Sequence, residues 1–427
     1  MKKIFLFSLI LFNASFMLSQ RTCGMQAYMN QVWSDPILTK EYLERQAKFE
    51  IEYQKLLQQE EDYKKTGLRS PNVTKIIPVA VHFPSVPNSS SASVKTCLRA
   101  LAQSQINVIN ADYNAANTDI SNWTAASTFY PGVTTGNLDV QFVIATQNHP
   151  AGTGIPNGTV AVTFGTDFLV AGNPNCSNGC NNDATWAGYM NFVVKDIGSQ
   201  LLGFSPPGGY PSAGNSVVMN TICFGKGAGC SGYVPQSPYN LGRTVTHELG
   251  HFFNLDHTFA NDNGCGGSDD DEVTDTPRCG FANYGCVTNG SVAGCVSGQK
   301  QLTMNYMDYS DDACMYMFSN GQKVRALAYL NTIYGQYKTN VLSNLEVNTI
   351  DFTVYPNPSN GVLNIQLTNL ASDYSVEVYD AMGREVDFTK NDNANIKSID
   401  LKNVAKGIYY VTIASENKQT TKKIIVE

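Results

Sequence analysis

The rhythm of apolar and polar positions changes several times along the chain, and each change marks a predicted element. Behind the positive Met1-Lys2-Lys3, residues 4–12 are almost wholly apolar and lead to small and polar residues near Ser19, the pattern of an export signal over 1–19. Residues 20–69 are charged and helix-forming instead. Pro36 suits the first turn of a helix and Lys64-Lys65-Thr66-Gly67 its end, but the apolar positions are too few for a separate domain. Lys75 to Phe83 reads as a buried strand. Leu98, Leu101, Ile106 and Ile109 recur at helical spacing within Lys95 to Asn110.

Leu138 to Ile144 alternates as a strand, and Met190 to Val194 and Ser216 to Met219 continue the α/β alternation. The Gly/Pro-rich stretch 203–214 reads as loop. Leu241 to Phe253 is predicted as a helix beneath a mixed sheet, and Ser319 to Gln322 as a capping box opening a helix through about Tyr337. After a boundary at 342–348, short alternating runs separated by Asn357-Pro358-Ser359-Asn360-Gly361 and Met382-Gly383-Arg384 suggest a small all-β sandwich. The expected class is therefore α/β (α+β). A helical segment at 20–69 precedes a main domain at 70–343 with a mixed sheet, and the sandwich occupies 344–427.

Composition narrows the setting. A net charge of −7 argues against nucleic acid as the main partner. No run after the signal is long and apolar enough to span a bilayer. Eleven cysteines without a C-x-x-C pair point to disulfides and an oxidising compartment, with one thiol left over.

Three of the five histidines fall in His247-Glu248-Leu249-Gly250-His251-Phe252-Phe253-Asn254-Leu255-Asp256-His257. On a helix His247 and His251 stand one turn apart on one face and can reach one zinc ion. Glu248 is then placed to take a proton from a water at that ion. For His257 to join them the chain must turn sharply after Phe253. Asn254 sits where the turn needs a left-handed residue, which asparagine tolerates best after glycine. His82, alone in a strand, reads as a hydrogen-bonded core residue.

Cys23 is a candidate fourth donor that keeps the ion covered in a latent form, and setting it aside leaves an even ten cysteines; the alternative is that it pairs with another cysteine. The carboxylates of Asp269, Asp270, Asp271 and Asp275, with Thr276, form an acidic loop of oxygen ligands suited to calcium, against the alternative of a solvated loop.

On these motifs the chain resembles the pappalysin family of metzincin metallopeptidases from about Ile76 to Tyr337. The likeness runs through the strand Ile77 to His82, the zinc motif with Thr258-Phe259, Asp275-Thr276-Pro277, and Asn305-Tyr306-Met307-Asp308-Tyr309. The resemblance implies a metzincin-like fold and a zinc endopeptidase acting on proteins or peptides. It implies a turn at Met307 beneath the ligands, and Tyr309 helping to bind the metal or the tetrahedral intermediate. It also strengthens the calcium and Cys23 expectations, and ties Cys314 back to the acidic loop through Cys265, Cys279, Cys286 or Cys295. The family has glycine where Asn254 stands.

Some relatives prefer arginine at the cut through an acidic residue beside the position of Cys314. Here Asp311 and Asp312 are nearby, but Ala313 is the immediate neighbour.

Val354-Tyr355-Pro356-Asn357-Pro358, Lys406-Gly407-Ile408-Tyr409 and Lys423-Ile424-Ile425-Val426 resemble the C-terminal sorting domain of the type IX secretion system. That implies passage through the periplasm of a gram-negative bacterium to the cell surface or medium. The rival expectations are a non-catalytic adhesin with structural zinc, and a terminal sandwich that binds carbohydrate.

Overall fold

The central element is β1 (Lys75–Phe83), whose last seven residues are all buried. The structure, a computed structural model, describes residues 23–66, 74–165, 184–213, 215–260, 264–266, 270–342, 352–367, 375–381, 383–393, 396–401, 404–415 and 418–427. The predicted export signal, the boundary between the helical segment 20–69 and the main domain, and Asp269 lie outside the described residues. The chain divides into two units, Met1–Leu342 and Ser343–Glu427.

In the first unit, β2 (Val140–Ile144) runs parallel to the start of β1 and β3 (Val162–Phe164) to its end. On the other side lie β4 (Met190–Val194) and then β6 (Ser216–Met219), both parallel. The edge is β5 (Gly203–Phe204), antiparallel to β6. This edge strand falls in the stretch predicted as loop: two residues carry no periodicity, and only the ladder offered by β6 makes them a strand.

Parallel neighbours need a crossover, and α3 (Ala92–Tyr113) supplies the one between β1 and β2. Its predicted apolar positions, Leu98, Leu101, Ile106 and Ile109, are all buried. A short turn, α4 (Trp123–Ala126), follows.

Three long-range carboxylates fix the next helix, α5 (Arg243–Phe252). Asp312 accepts the backbone N–H groups of Leu241 at 2.9 Å and Arg243 at 3.2 Å, two donors that no helical carbonyl serves. The Arg243 Nε lies 3.1 Å from Asp112, and its terminal nitrogens lie 3.0 and 3.1 Å from Asp119. Its plane stacks 5.3 Å from the Tyr306 ring. Burial pushes Asp112 up to about 6 even with Arg243 beside it. Removing one partner of such a buried pair costs about 3–5 kcal/mol, so this network sets where α5 starts.

Helix α6 (Asn320–Ile333) opens with the predicted capping box, with Ser319 Oγ accepting from Gln322 N at 3.1 Å and Gln322 Oε1 from Ser319 N at 2.9 Å. At the N-terminus, α1 (Met25–Ser34) and α2 (Pro36–Thr66) are joined through Asp35, which accepts the N–H of Ile37 at 2.8 Å. Phe49 and Tyr53 are the buried residues of α2. Disulfides join Cys97 to Cys230, Cys265 to Cys295 and Cys286 to Cys314.

The second unit is all-β. One antiparallel sheet holds β7 (Phe352–Tyr355), β8 (Val362–Leu367), β10 (Thr389–Asn393) and β11 (Ile396–Asp400); the other holds β9 (Ser375–Asp380), β12 (Gly407–Ser415) and β13 (Lys418–Val426). Phe352, Leu363 and Ile399 from the first share a core with Val378, Val411 and Ile424 from the second. Among the described residues no helix of the chain is long and apolar enough to cross a membrane.

Candidate metal centre

Helix α5 is buried along its whole length, so neither His247 nor His251 is exposed to bulk water. The helix stops in a reciprocal turn. Asn254 N–H donates to His251 O at 2.9 Å and Leu255 N–H to Gly250 O at 2.9 Å, with Asn254 at φ +66°. This is the Schellman arrangement, which requires one left-handed residue, and Asn254 takes the place that glycine usually fills. The turn sends the chain back so that His257 meets the other two.

The three Nε2 atoms form a near-equilateral triangle: 3.2 Å from His247 to His257, 3.2 Å from His251 to His247, and 3.1 Å from His251 to His257. Two of the rings have their tautomer fixed from behind. Nδ1 of His247 donates to Tyr306 O at 2.7 Å, and Nδ1 of His251 to Leu255 O at 2.8 Å. Burial holds His251 down at about 4, so it is neutral near pH 7. Both Nε2 atoms are then bare lone pairs pointing at one another, which is repulsive unless a cation lies between them. Donors around a tetrahedral zinc with bonds of about 2.0–2.1 Å sit about 3.3 Å apart, so this set fits zinc.

Cys23 adds a fourth potential donor to the triangle. Its Sγ and the three Nε2 atoms lie within 4.8 Å of one another. The thiol is 3.3 Å from Glu248 Oε2, and the Cys23 N–H donates to Tyr309 Oη at 3.3 Å. Cys23 reaches this point by bridging to Gly203 of β5, with Gly24 N–H on Gly203 O at 3.2 Å. A Cβ on Gly24 would lie 2.7 Å from Phe204 Cβ, so only glycine allows that approach.

The parity argument for Cys23 fails all the same. Cys223 and Cys279 are also outside the three disulfides, as buried thiols donating to Leu202 O at 3.0 Å and Pro277 O at 3.1 Å. Geometry, not counting, singles out Cys23.

Met307 presses its sulfur against the backbone of α5: a Cβ on Gly250 would lie 2.4 Å from Met307 Sδ. Its turn grips the site at two points, through Tyr306 O on His247 and through Met307 O, which accepts Thr258 N–H at 3.2 Å. Tyr309 stands 5.0 Å from the His257 ring, and burial, reinforced by Cys23 and Glu248, pushes its hydroxyl upward, so it remains a donor. Phe259 stacks on His257 at 4.6 Å and 9°. His82 is buried between Thr163 at 2.8 Å and Asn191 at 3.2 Å, as a core residue.

The acidic loop is arranged differently from the expected ligand cluster. Asp270 accepts the N–H of Glu272 at 2.8 Å. The two oxygens of Asp271 take the Thr276 hydroxyl at 2.7 and 2.8 Å. Asp275 caps α6, accepting from Ser319 Oγ at 2.6 Å and Gly321 N at 2.8 Å. Among the described residues, only Cys23 and the three histidines gather as a ligand set. Asp312 is buried and accepts the N–H groups of Leu241 and Arg243 at the start of α5.

The sequence profile of the pregnancy-associated plasma protein-A family matches residues 179–331, and that of a secretion system C-terminal sorting domain matches residues 353–427. An extracellular metalloprotease of Sordaria macrospora is 33% identical over 198 residues, 43% of this chain and 64% of its own length. One from Neurospora crassa is 33% identical over 184 residues, 42% of this chain and 59% of its own. This chain thus spans about three-fifths of the length of these relatives. Mature mirolysin of Tannerella forsythia in complex with a cleaved peptide is 30% identical, covering 64% of this chain and 95% of that one, with a TM-score of 0.47.

Residues 179–331 are thus similar to the pregnancy-associated plasma protein-A family of metallopeptidases. A promirolysin mutant of the same organism is 29% identical, with a TM-score of 0.51 over 74% of this chain and 95% of that one. The close approach of Met307 to Gly250 is directly testable. Gly250→Ala is expected to cost about 1–3 kcal/mol of stability in urea unfolding, since the added methyl has no space. A variant as stable as the parent would show that the sulfur yields freely.

Proposed function

We propose that the chain is the latent precursor of a secreted zinc endopeptidase. The observation that carries this reading is the triangle of Nε2 atoms closed by the Cys23 thiol beside Glu248. In this reading residues 1–19 are the export signal, 20–69 the pro-segment, 70–343 the catalytic domain on a metzincin-like plan, and 344–427 the sorting domain recognised by type IX secretion machinery. The route is then through the periplasm of a gram-negative bacterium to the surface or medium. The sorting profile and the extracellular relatives support it.

His247, His251 and His257 would hold the zinc ion. When bound it supplies Lewis acidity and lowers the pKa of a coordinated water. Glu248, fully buried, would take a proton from a water attacking the scissile carbonyl and deliver it to the leaving amine. The Tyr309 hydroxyl, kept protonated, donates to the oxygen on which negative charge develops. Cys23 occupies the space both groups need, so no substrate enters until it leaves.

For the mature protein, Glu248→Ala is expected to lower hydrolysis of a denatured protein by at least about a thousandfold while zinc stays bound by metal analysis. Near-parental turnover would end the assignment. A basic preference at the cut rests on Asp311, since Asp312 is engaged in the helix cap. The same assay on a peptide library should enrich Arg or Lys beside the scissile bond, and no enrichment would remove that claim.

Mass spectrometry of the secreted protein should find a start near Arg69-Ser70 and an end near residue 345. Intact termini would refute processing at both ends.

Calcium is the proposed second cation, at the loop of Asp269, Asp270, Asp271, Asp275 and Thr276. Burial pushes Asp271 from the usual 3.8 up to about 8, a cost of ionisation that a neighbouring divalent cation would offset. With the folded carboxyl binding its proton more tightly than the unfolded one, the calcium-free fold loses stability as pH rises from about 4 to about 8. Calcium should therefore raise Tm, and more at pH 8 than at pH 5; identical melts in calcium and in chelator would dismiss it.

A further inference from the structure

Helix α2 touches the flank of the metal centre at a place separate from Cys23. Gln46 Nε2 donates to Asn254 Oδ1 at 2.9 Å, and Asn254 Nδ2 donates back to Gln46 Oε1 at 3.0 Å. Each amide gives one hydrogen bond and takes one. Glycine at 254 would satisfy the left-handed backbone equally well but would offer no amide. The side chain of Asn254 therefore has a role that the turn alone does not demand.

The contact belongs to a continuous face. Gln46, Phe49, Tyr53 and Glu60 follow one another at steps of three, four and seven, the spacing of one helical stripe. Against them stand residues of α6. The Arg325 guanidinium lies 5.0 Å from the Phe49 ring and 5.6 Å from the Tyr53 ring. It also pairs with Glu272 at 3.0 Å, and its Nε donates to Asn254 O at 2.9 Å. Lys323, 6% exposed at its side chain, pairs with Glu60 at 2.9 Å. Asn331 donates to Glu52 at 2.8 Å. None of these groups is a donor to the metal.

We propose that Asn254, Arg325 and Lys323 form a recognition surface for helix α2 that holds the pro-segment independently of Cys23. Cutting the chain between α2 and β1 then does not by itself release the segment. This rests on the precursor reading above and adds a second, metal-independent attachment to it. The partner that fits the surface is an amphipathic helix with an amide, two aromatic rings and a carboxylate along one stripe, supplied here by the chain's own residues 46–60.

The full chain, cut by limited proteolysis between α2 and β1, tests this by gel filtration timed against loss of the N-terminal fragment. The fragment should stay with the body of the protein in the parent and in the Cys23→Ser variant alike. Gln46→Ala should speed release about 3- to 10-fold, the loss of a net hydrogen bond or two. Asn254→Gly, which keeps the turn, should do the same, and the double variant should be no faster than either single one.

Immediate release from the Cys23→Ser protein, no effect of Gln46→Ala, or fully multiplicative effects of the two substitutions would overturn the proposal. Retention is read without any peptide hydrolysis. A protein that keeps its fragment but cuts nothing would refute the peptidase reading while supporting this one.

Discussion

Bare imidazole nitrogens aimed at one another from about 3 Å repel, and much of the first unit is arranged to hold three of them in that position. The hydrogen bonds from Nδ1 of His247 and His251 to carbonyls turn the free lone pairs inward. The Schellman turn at Asn254 delivers the third ring, and Phe259 fixes its plane. Beneath, Met307 meets a helix backbone that has no side chain at Gly250 to keep it away. At the far end Asp312, Asp112 and Asp119 anchor the first turn of α5. The fold itself thus places the three donors, through hydrogen bonds and packing behind each ring.

The sequence was most legible where one residue's neighbours decide its structure. The apolar run of β1 begins and ends at Lys75 and Phe83, as its pattern predicts, and Ser319 with Gln322 makes its capping box within four residues. The zinc motif belongs to the same category: its donors are close in sequence, and the turn after Phe253 follows from the need to bring back His257. The histidine of β1 was also read correctly, because an isolated strand histidine has no local companions to make a ligand set.

What stayed hidden depends on partners far away in the chain. Asp112 and Arg243 are 131 positions apart by their numbers, and nothing around either announces the other. Strands β10 and β11, Thr-Lys-Asn-Asp-Asn and Ile-Lys-Ser-Ile-Asp, lack the alternation that marks their neighbours and become strands by pairing. Asp311 and Asp312 looked equivalent in sequence. Burial makes one of them a helix cap. The odd number of cysteines suggested a leftover thiol at Cys23, yet Cys223 and Cys279 are also buried thiols outside the disulfides of the described residues, so the count alone does not distinguish Cys23.

The two attachments of the N-terminal segment differ in chemical character. A thiol beside a metal is sensitive to protons, to oxidants and to competing chelators. The Gln46–Asn254 pair joins two neutral amides, with no titrating atom and no net charge for salt to screen. Changes in redox state or in competing chelators met between the cell interior and the medium can therefore act on the thiol while leaving the amide pair as it was.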